Sequence, residues 1–255
     1  MKSSNPNWMD EVMYVMVLAD IHANLSALKA VFEHAQTRYG ELTIIQLGDI
    51  VDYGMRPNEC MALLYGEKNR FLVNLAGNHE EALFGRGIER FSSERGKQAA
   101  MYTTSILLDT WREYIKANFT PHPQELNIAG KKILCVHGDL HDHHWGGMSY
   151  TESQKQDYKD YDFVLSGHSH IRFLRELFYA DDSLVAKRGK KNTIFINPGS
   201  VGQPRNHNPA AQYAVVDFSQ GEVFFHAVEY AVEMERALFR GQVDVFYRDR
   251  LSKGI

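Results

Sequence analysis

Short apolar runs that each stop at an aspartate, asparagine or histidine constrain this chain more than any other feature. Residues 12–19 end at Asp20, 42–47 at Gly48-Asp49, and 71–75 lead into Gly77-Asn78-His79. Residues 132–136 end at His137, and 163–166 at Gly167-His168. Between the first runs, Leu25, Leu28, Val31 and Ala35 recur at helical spacing, and Pro57 suits the first turn of a helix reaching Tyr65. Strand, helix, strand, helix, strand is the grammar of a parallel sheet. Reactive groups in such sheets gather beyond the carboxyl ends of the strands. Core packing gives no reason for five strands to end in ligand-type side chains.

The stretch 80–125 reads as a helical excursion near the site, with Ala99, Thr103, Ile106, Leu107, Trp111, Tyr114 and Ile115 on a connected face. A cap over the site and an ordinary helix packed on the sheet both fit that pattern. The second half is richer in strands, at 173–178, 193–196, 213–218 and 223–228, and a helix begins at 231–241. The basic stretch from Lys187 to Lys191 reads as a solvated hairpin turn. No repeat or low-complexity segment divides the 255 residues, so one domain over 1–255 is expected.

A formal charge of -4 argues against a general polyanion-binding surface, so any phosphate affinity must be local. Two cysteines cannot build a disulfide framework, and Cys135, inside an apolar run, should pack as a small hydrophobe. The first apolar run is too short to span a membrane and lacks the basic flank of a signal peptide, so the cytoplasm is the expected location.

Each motif alone is weak; together Asp20-x-His22, Gly48-Asp49-x-x-Asp52, Gly77-Asn78-His79, His137-Gly138 and Gly167-His168-x-His170 supply the nitrogen and oxygen donors for two metal ions. The ordered set resembles the calcineurin-like metallophosphoesterase superfamily from Asp20 to the segment Asn197-Pro-Gly-Ser-Val-Gly-Gln-Pro-Arg205. That last segment is similar to small bacterial-type phosphodiesterases and to relatives of diadenosine tetraphosphatase. The resemblance implies an α/β fold, a four-layer αββα sandwich of two mixed sheets flanked by helices. Carried over by motif, it implies one metal on Asp20, His22, Asp49 and His170, and a second on Asp49, Asn78, His137 and His168, with Asp49 bridging. Mixed His, Asp and Asn ligation suits Mn, Fe, Zn, Ni or Co. Two dications against two carboxylates leave a formal charge of about +2, enough to bind a phosphate without a basic surface.

The implied reaction is in-line attack of a metal-bridging hydroxide on phosphorus. His79 would protonate the leaving oxygen, and Asp52 would fix its tautomer or serve as a turn residue. Asn24 reads as a helix N-cap first and a substrate contact second. Arg205 could clamp a phosphate or lie on the surface. The cluster His141-Asp142-His143-His144 reads as an exposed loop near the pocket. Where protein phosphatases of the family carry an arginine after the second motif's last aspartate, this chain has Tyr53, which favours a singly charged diester unless Arg205, or Arg86 or Arg90 of the excursion, substitutes for it. A phosphodiesterase acting on a small, possibly nucleotide-derived ester is therefore expected. The alternatives are a phosphomonoesterase, a dinucleoside polyphosphate hydrolase, a protein phosphatase, or a non-catalytic scaffold such as the family's retromer subunit.

Overall fold

The computed structural model describes residues 14–148, 156–179 and 191–255. One sheet is built from β1 (Val15–Leu18), β2 (Thr43–Gln46), β3 (Phe71–Asn74), β9 (Ala211–Asp217) and β10 (Glu222–Val228), in the order β10-β9-β1-β2-β3. Its three early strands are parallel, and β9 returns antiparallel to β1. The second sheet holds β4 (Gln124–Ile128), β5 (Lys131–Cys135), β6 (Phe163–Leu165), β7 (Phe173–Phe178) and β8 (Asn192–Asn197), in the order β4-β5-β6-β8-β7. There β5, β6 and β8 run parallel.

The alternation of β1 explains the layering. Val15 and Val17 point into a core shared with Ile133, Cys135, Phe163, Leu165 and Ile196 of the other sheet. Met16 and Leu18 point the other way, toward Leu28 and Val31 of α1 (Leu25–Tyr39) and Met61 of α2 (Pro57–Gly66). A one-residue slip would exchange the two faces, so burial on both sides fixes the register. Each such aliphatic side chain contributes about 1.5–3 kcal/mol by leaving water. On the outer face of the second sheet, Leu134, Val164 and Phe195 pack with Tyr158. Cys135 is buried in the inter-sheet core, as its apolar neighbours predict.

Two expectations need correction, and one strand was not expected. The excursion is not one long helix, because α4 (Glu94–Ile106) and α5 (Asp109–Asn118) are separated at Leu107 and Leu108 by extended backbone. Asn58 of α2 causes the break by donating to the Ile106 carbonyl and accepting from the Leu108 amide. The stretch before residue 131 also ends in a strand, β4, joined to β5 by Ala129 and Gly130, both with positive φ. The C-terminal helix is short, α6 (Val232–Arg236), and a second one follows, α7 (Val245–Arg250). Residues 187–190 of the expected basic turn lie outside the described residues.

Candidate metal centre

The carboxyl ends of β1, β2, β5 and β6, with the loop after β3, meet at one edge. The backbone there is bent hard. Of the ten non-glycine residues with positive φ among those described, seven are Asp20, His22, Asp49, Asp52, Tyr53, His168 and His170. Left-handed backbone costs a residue with a Cβ about 1–2 kcal/mol, so surrounding contacts must hold it. They do: the Asp20 carbonyl accepts from Ser200 Oγ and Gly202 N, and Asp20 Oδ1 accepts from His168 N. Gly202 is required by contact, since a Cβ there would sit 1.7 Å from the Ile21 carbonyl oxygen.

Two groups of donors converge. Asp20, His22, Asp49 and His170, all buried, place one ligand atom each within 4.8 Å of the others, and Asp49, His137 and His168 do the same beside them. Asp49 belongs to both. Asn78 opens α3 (Asn78–Leu83) and turns its side-chain amide toward His137 Nε2 at 3.1 Å and His168 Nδ1 at 3.0 Å. Three imidazoles are aimed by main-chain acceptors: Nδ1 of His22 donates to Val51 O, that of His137 to Leu47 O, and that of His170 to Gln203 O. His22 and His170 thus keep the Nε2 lone pair for the interior, the arrangement metal-ligating histidines use, whereas His137 Nε2 lies 3.2 Å from Asp49 Oδ2, whose charge outweighs burial and raises this imidazole to about 9.

The donor set fits cations. His22 Nε2 faces His170 Nε2 at 3.1 Å, two lone pairs that only a shared proton or metal can reconcile. Asp20 Oδ2 is buried without a hydrogen-bond partner among the described residues. Burial pushes the Asp20 carboxyl up to about 7, only partly offset by His137, so this carboxylate lacks counter-charge. Burial also holds His22 and His170 well below the usual imidazole range, and with His137 it pushes His168 down to about 3. Neutral imidazole is the form that ligates metal.

His79 follows Asn78 and stands apart from the two groups. Its Nδ1 donates to Asp52 Oδ2 at 2.7 Å, leaving Nε2 toward the site, 3.9 Å from Asp49 Oδ2. Burial disfavours its charge, but Asp49 and the Asp52 hydrogen bond outweigh that and raise it above the ordinary value. Asp52 Oδ1 accepts from Thr103 of α4, so the excursion supports this pair from behind. The Asp49 loop rests on Glu80, a residue the motif reading passed over. Its buried carboxylate accepts from the amides of Asp49, Ile50, Val51 and Gly77. A glutamate three residues into a helix that begins at Gly77 was the available signal, as in a capping box.

A cavity of about 280 Å³ opens on the cluster, walled by Tyr53, His79, Phe91, Trp145 and Arg205. Asn24 is not among its lining residues: its Oδ1 caps α1 at Ala27 N and its amide donates to Gly202 O and Tyr230 Oη. Tyr53 packs on His22 and His79, with centroids 4.6 and 4.5 Å away, and stacks on Tyr247 of α7 at 4.3 Å. The histidine cluster after β5 divides: His141 is exposed and pairs with Asp157, whereas His144 is turned inward with Nε2 buried. Phe91, Trp145 and Tyr247 carried no sequence signal, because an aromatic side chain in a loop or short helix reads as packing.

A sandwich of two mixed sheets with buried carboxylates and imidazoles at the strands' carboxyl edge is the architecture of a metallophosphoesterase. The sequence profile of the calcineurin-like phosphoesterase superfamily domain matches residues 13–221, and the chain belongs to that family. It is 31% identical over 225 residues to an uncharacterized protein of Methanocaldococcus jannaschii, covering 86% of this chain and 88% of that one. It is also similar to the crystal structure of a metallophosphoesterase from Sphaerobacter thermophilus, at TM-score 0.73 and 29% identity over 95% of this chain and 100% of that one. A hypothetical protein of Pyrococcus horikoshii shares the fold at TM-score 0.76 and 22% identity, over 95% and 98% of the two chains. No helix among the described residues is long and apolar enough to cross a membrane.

Proposed function

We propose that this chain is a binuclear metal-dependent phosphodiesterase acting on small diesters. Asp20, His22, Asp49 and His170 would hold one ion, and Asp49, Asn78, His137 and His168 the other, drawn from Mn, Fe, Zn, Ni or Co. Bound there, the two ions would supply Lewis acidity toward the phosphoryl oxygens and acidify a water to serve as nucleophile. The His79 imidazolium would act from Nε2, donating that proton to the departing oxygen, while Asp52 accepts the Nδ1–H and stabilises the charged ring. Phe91 packs edge-on against the His79 ring, with Trp145 edge-on to Phe91, and the two form one wall of the cavity.

The observation that favours a diester is Tyr53. Burial pushes its hydroxyl far above the ordinary phenol value, so the position beside His79 offers a neutral group where the protein phosphatases that this motif resembles place a cation. A doubly charged monoester loses more by that exchange than a singly charged diester. The test is hydrolysis of bis(p-nitrophenyl) phosphate beside p-nitrophenyl phosphate, using metal-stripped protein reconstituted with manganese, nickel, zinc or magnesium. Metal-dependent turnover favouring the diester is expected; a monoester preference would make the chain a phosphomonoesterase. No turnover of either with two metals bound would leave a narrow substrate or the scaffold reading.

A further inference from the structure

The second sheet leaves one long side of β7 unused. Among the described residues β7 is the last strand of that sheet and is bonded to β8 alone. The Tyr179 amide donates to Lys191 O, so the odd-numbered backbone groups of the strand turn toward β8. Those of Leu174, Glu176 and Phe178 turn outward, as antiparallel pairing requires. The same stretch is also apolar and wet. Leu174 is 51% exposed, Phe178 55% and Ile171, just before the strand, 48%. Three of the nine bulky apolar side chains exposed among the described residues thus fall within eight positions.

Leu174 stands opposite Ile196, which belongs to the inter-sheet core. Leu174, Glu176 and Phe178 therefore look the same way as that core, yet the first sheet stops short of covering them. At its margin β10 supplies Phe225, and the Arg172 guanidinium lies over that ring at 5.8 Å, on the same face as Leu174. The row Arg172, Leu174, Glu176, Phe178 is exposed throughout and alternates charge with apolar surface. Its two charges are opposite in sign, and neither forms an ion pair among the described residues. Asn192 holds Glu176 through Oε1, which leaves Oε2 to the outside. Charges on a marginal strand repel a mismatched neighbour and select a matched one.

We propose that β7 is the docking strand of a symmetric dimer, pairing antiparallel with β7 of a second copy about a twofold axis at Leu174. The sequence of the strand, Phe-Leu-Arg-Glu-Leu-Phe, selects that register. A twofold normal to the sheet keeps each face on its own side, so a residue can oppose only one of its own parity. Centred on Arg175, the pairing sets that arginine against itself; centred on Glu176, it sets two glutamates together. Like charges directly opposite are destabilising. Centred on Phe173 or Leu177, it brings no unlike charges together. Centred on Leu174, it sets Leu174 against its counterpart and Arg172 against Glu176 of the second copy, twice by symmetry. Ile171 then meets Leu177 of the second copy on the other face. The outward amides and carbonyls of Leu174 and Glu176 gain partners, and the exposed leucines leave water. None of this depends on the diesterase reading.

The experiment is sedimentation equilibrium of the full chain from about 1 to 100 µM, where a dimer is expected. Leu174→Asp should give a monomer. Arg172→Glu sets two glutamates opposite each other and should raise the dissociation constant about tenfold or more. Adding Glu176→Arg to that variant exchanges the two charges and should restore the dimer, which a merely structural loss would not allow. All three positions are exposed, so the fold is expected to survive each change, read by circular dichroism. A monomer at every concentration would overturn the proposal, whatever else covers the strand. So would a dimer that survives Leu174→Asp, ignores Arg172→Glu, or is not recovered by the double exchange.

Discussion

The two sides of the cavity are held by different means. On the ligand side, three imidazoles are aimed by main-chain carbonyls, and Asp49 sits on a loop whose amides end on Glu80. On the proposed substrate side, Arg90 and Phe91 share one connection and Trp145 and Arg205 come from two others; the first two connections are joined by the Phe91–Trp145 edge contact and the exposed Arg90–Asp142 pair. Backbone acceptors in a buried edge leave no freedom to the first group. Side-chain contacts near water leave some to the second. A site of this kind can exchange its substrate wall while its ligand edge stays intact.

The largest effect should come from the residue shared by both ligand groups. Asp49→Ala is expected to cut turnover by about 1,000-fold or more and to lower metal content, read by elemental analysis beside kinetics. Full metal content with normal turnover would dissolve the distinction between the two sides. His79→Ala should keep both metals and slow diester hydrolysis by about 100-fold or more. That deficit should shrink as the leaving group improves; an equal deficit on every ester would move His79 from proton donation to phosphate positioning. Glu80→Ala strands up to four buried amides and should lower stability by about 3–5 kcal/mol, measured by denaturant unfolding. A loss below about 1 kcal/mol would mean that water replaces the carboxylate and that the ligand edge is less fixed than its geometry implies. The smallest effect belongs to the substrate wall: Arg90→Ala removes an exposed pair of about 0.2–1 kcal/mol, so KM should shift by about fivefold at most, with metal content unchanged. A large loss of kcat there would tie the wall to the chemistry.

The same contrast decided what could be read in the sequence. Strand ends carrying Asp20, Asp49, Asn78, His137 and His168 were legible because burial on both faces makes nearly continuous apolar runs, and the polar residue that stops each run stands out. The sandwich itself came from resemblance rather than from those runs. The strand Gln124–Ile128 escaped because its two apolar residues, Leu126 and Ile128, are too few to show a period, and Ala129-Gly130 is not a familiar hairpin turn. Helices α4 and α5 read as one because the break is imposed from outside by Asn58. Glu80 hid behind the ligand motif next to it, and Tyr247 lies in a six-residue helix whose position depends on Tyr53, some two hundred residues earlier.

The strand order has a consequence for the growing chain. Asp20 follows β1, the central strand of the first sheet, yet one neighbour of that strand is β9, which begins only at Ala211. The loop after Asp20 is likewise clasped by Ser200 and Gly202. A ribosome must therefore release more than four-fifths of the polypeptide before its first candidate ligand can be fixed in place. Until then β1 offers an open hydrogen-bonding edge beside half-assembled ligands. On the proposed reading metal capture would be an event of completion, and a chain stalled before Ala211 would present to the cell a sticky strand rather than a weak enzyme.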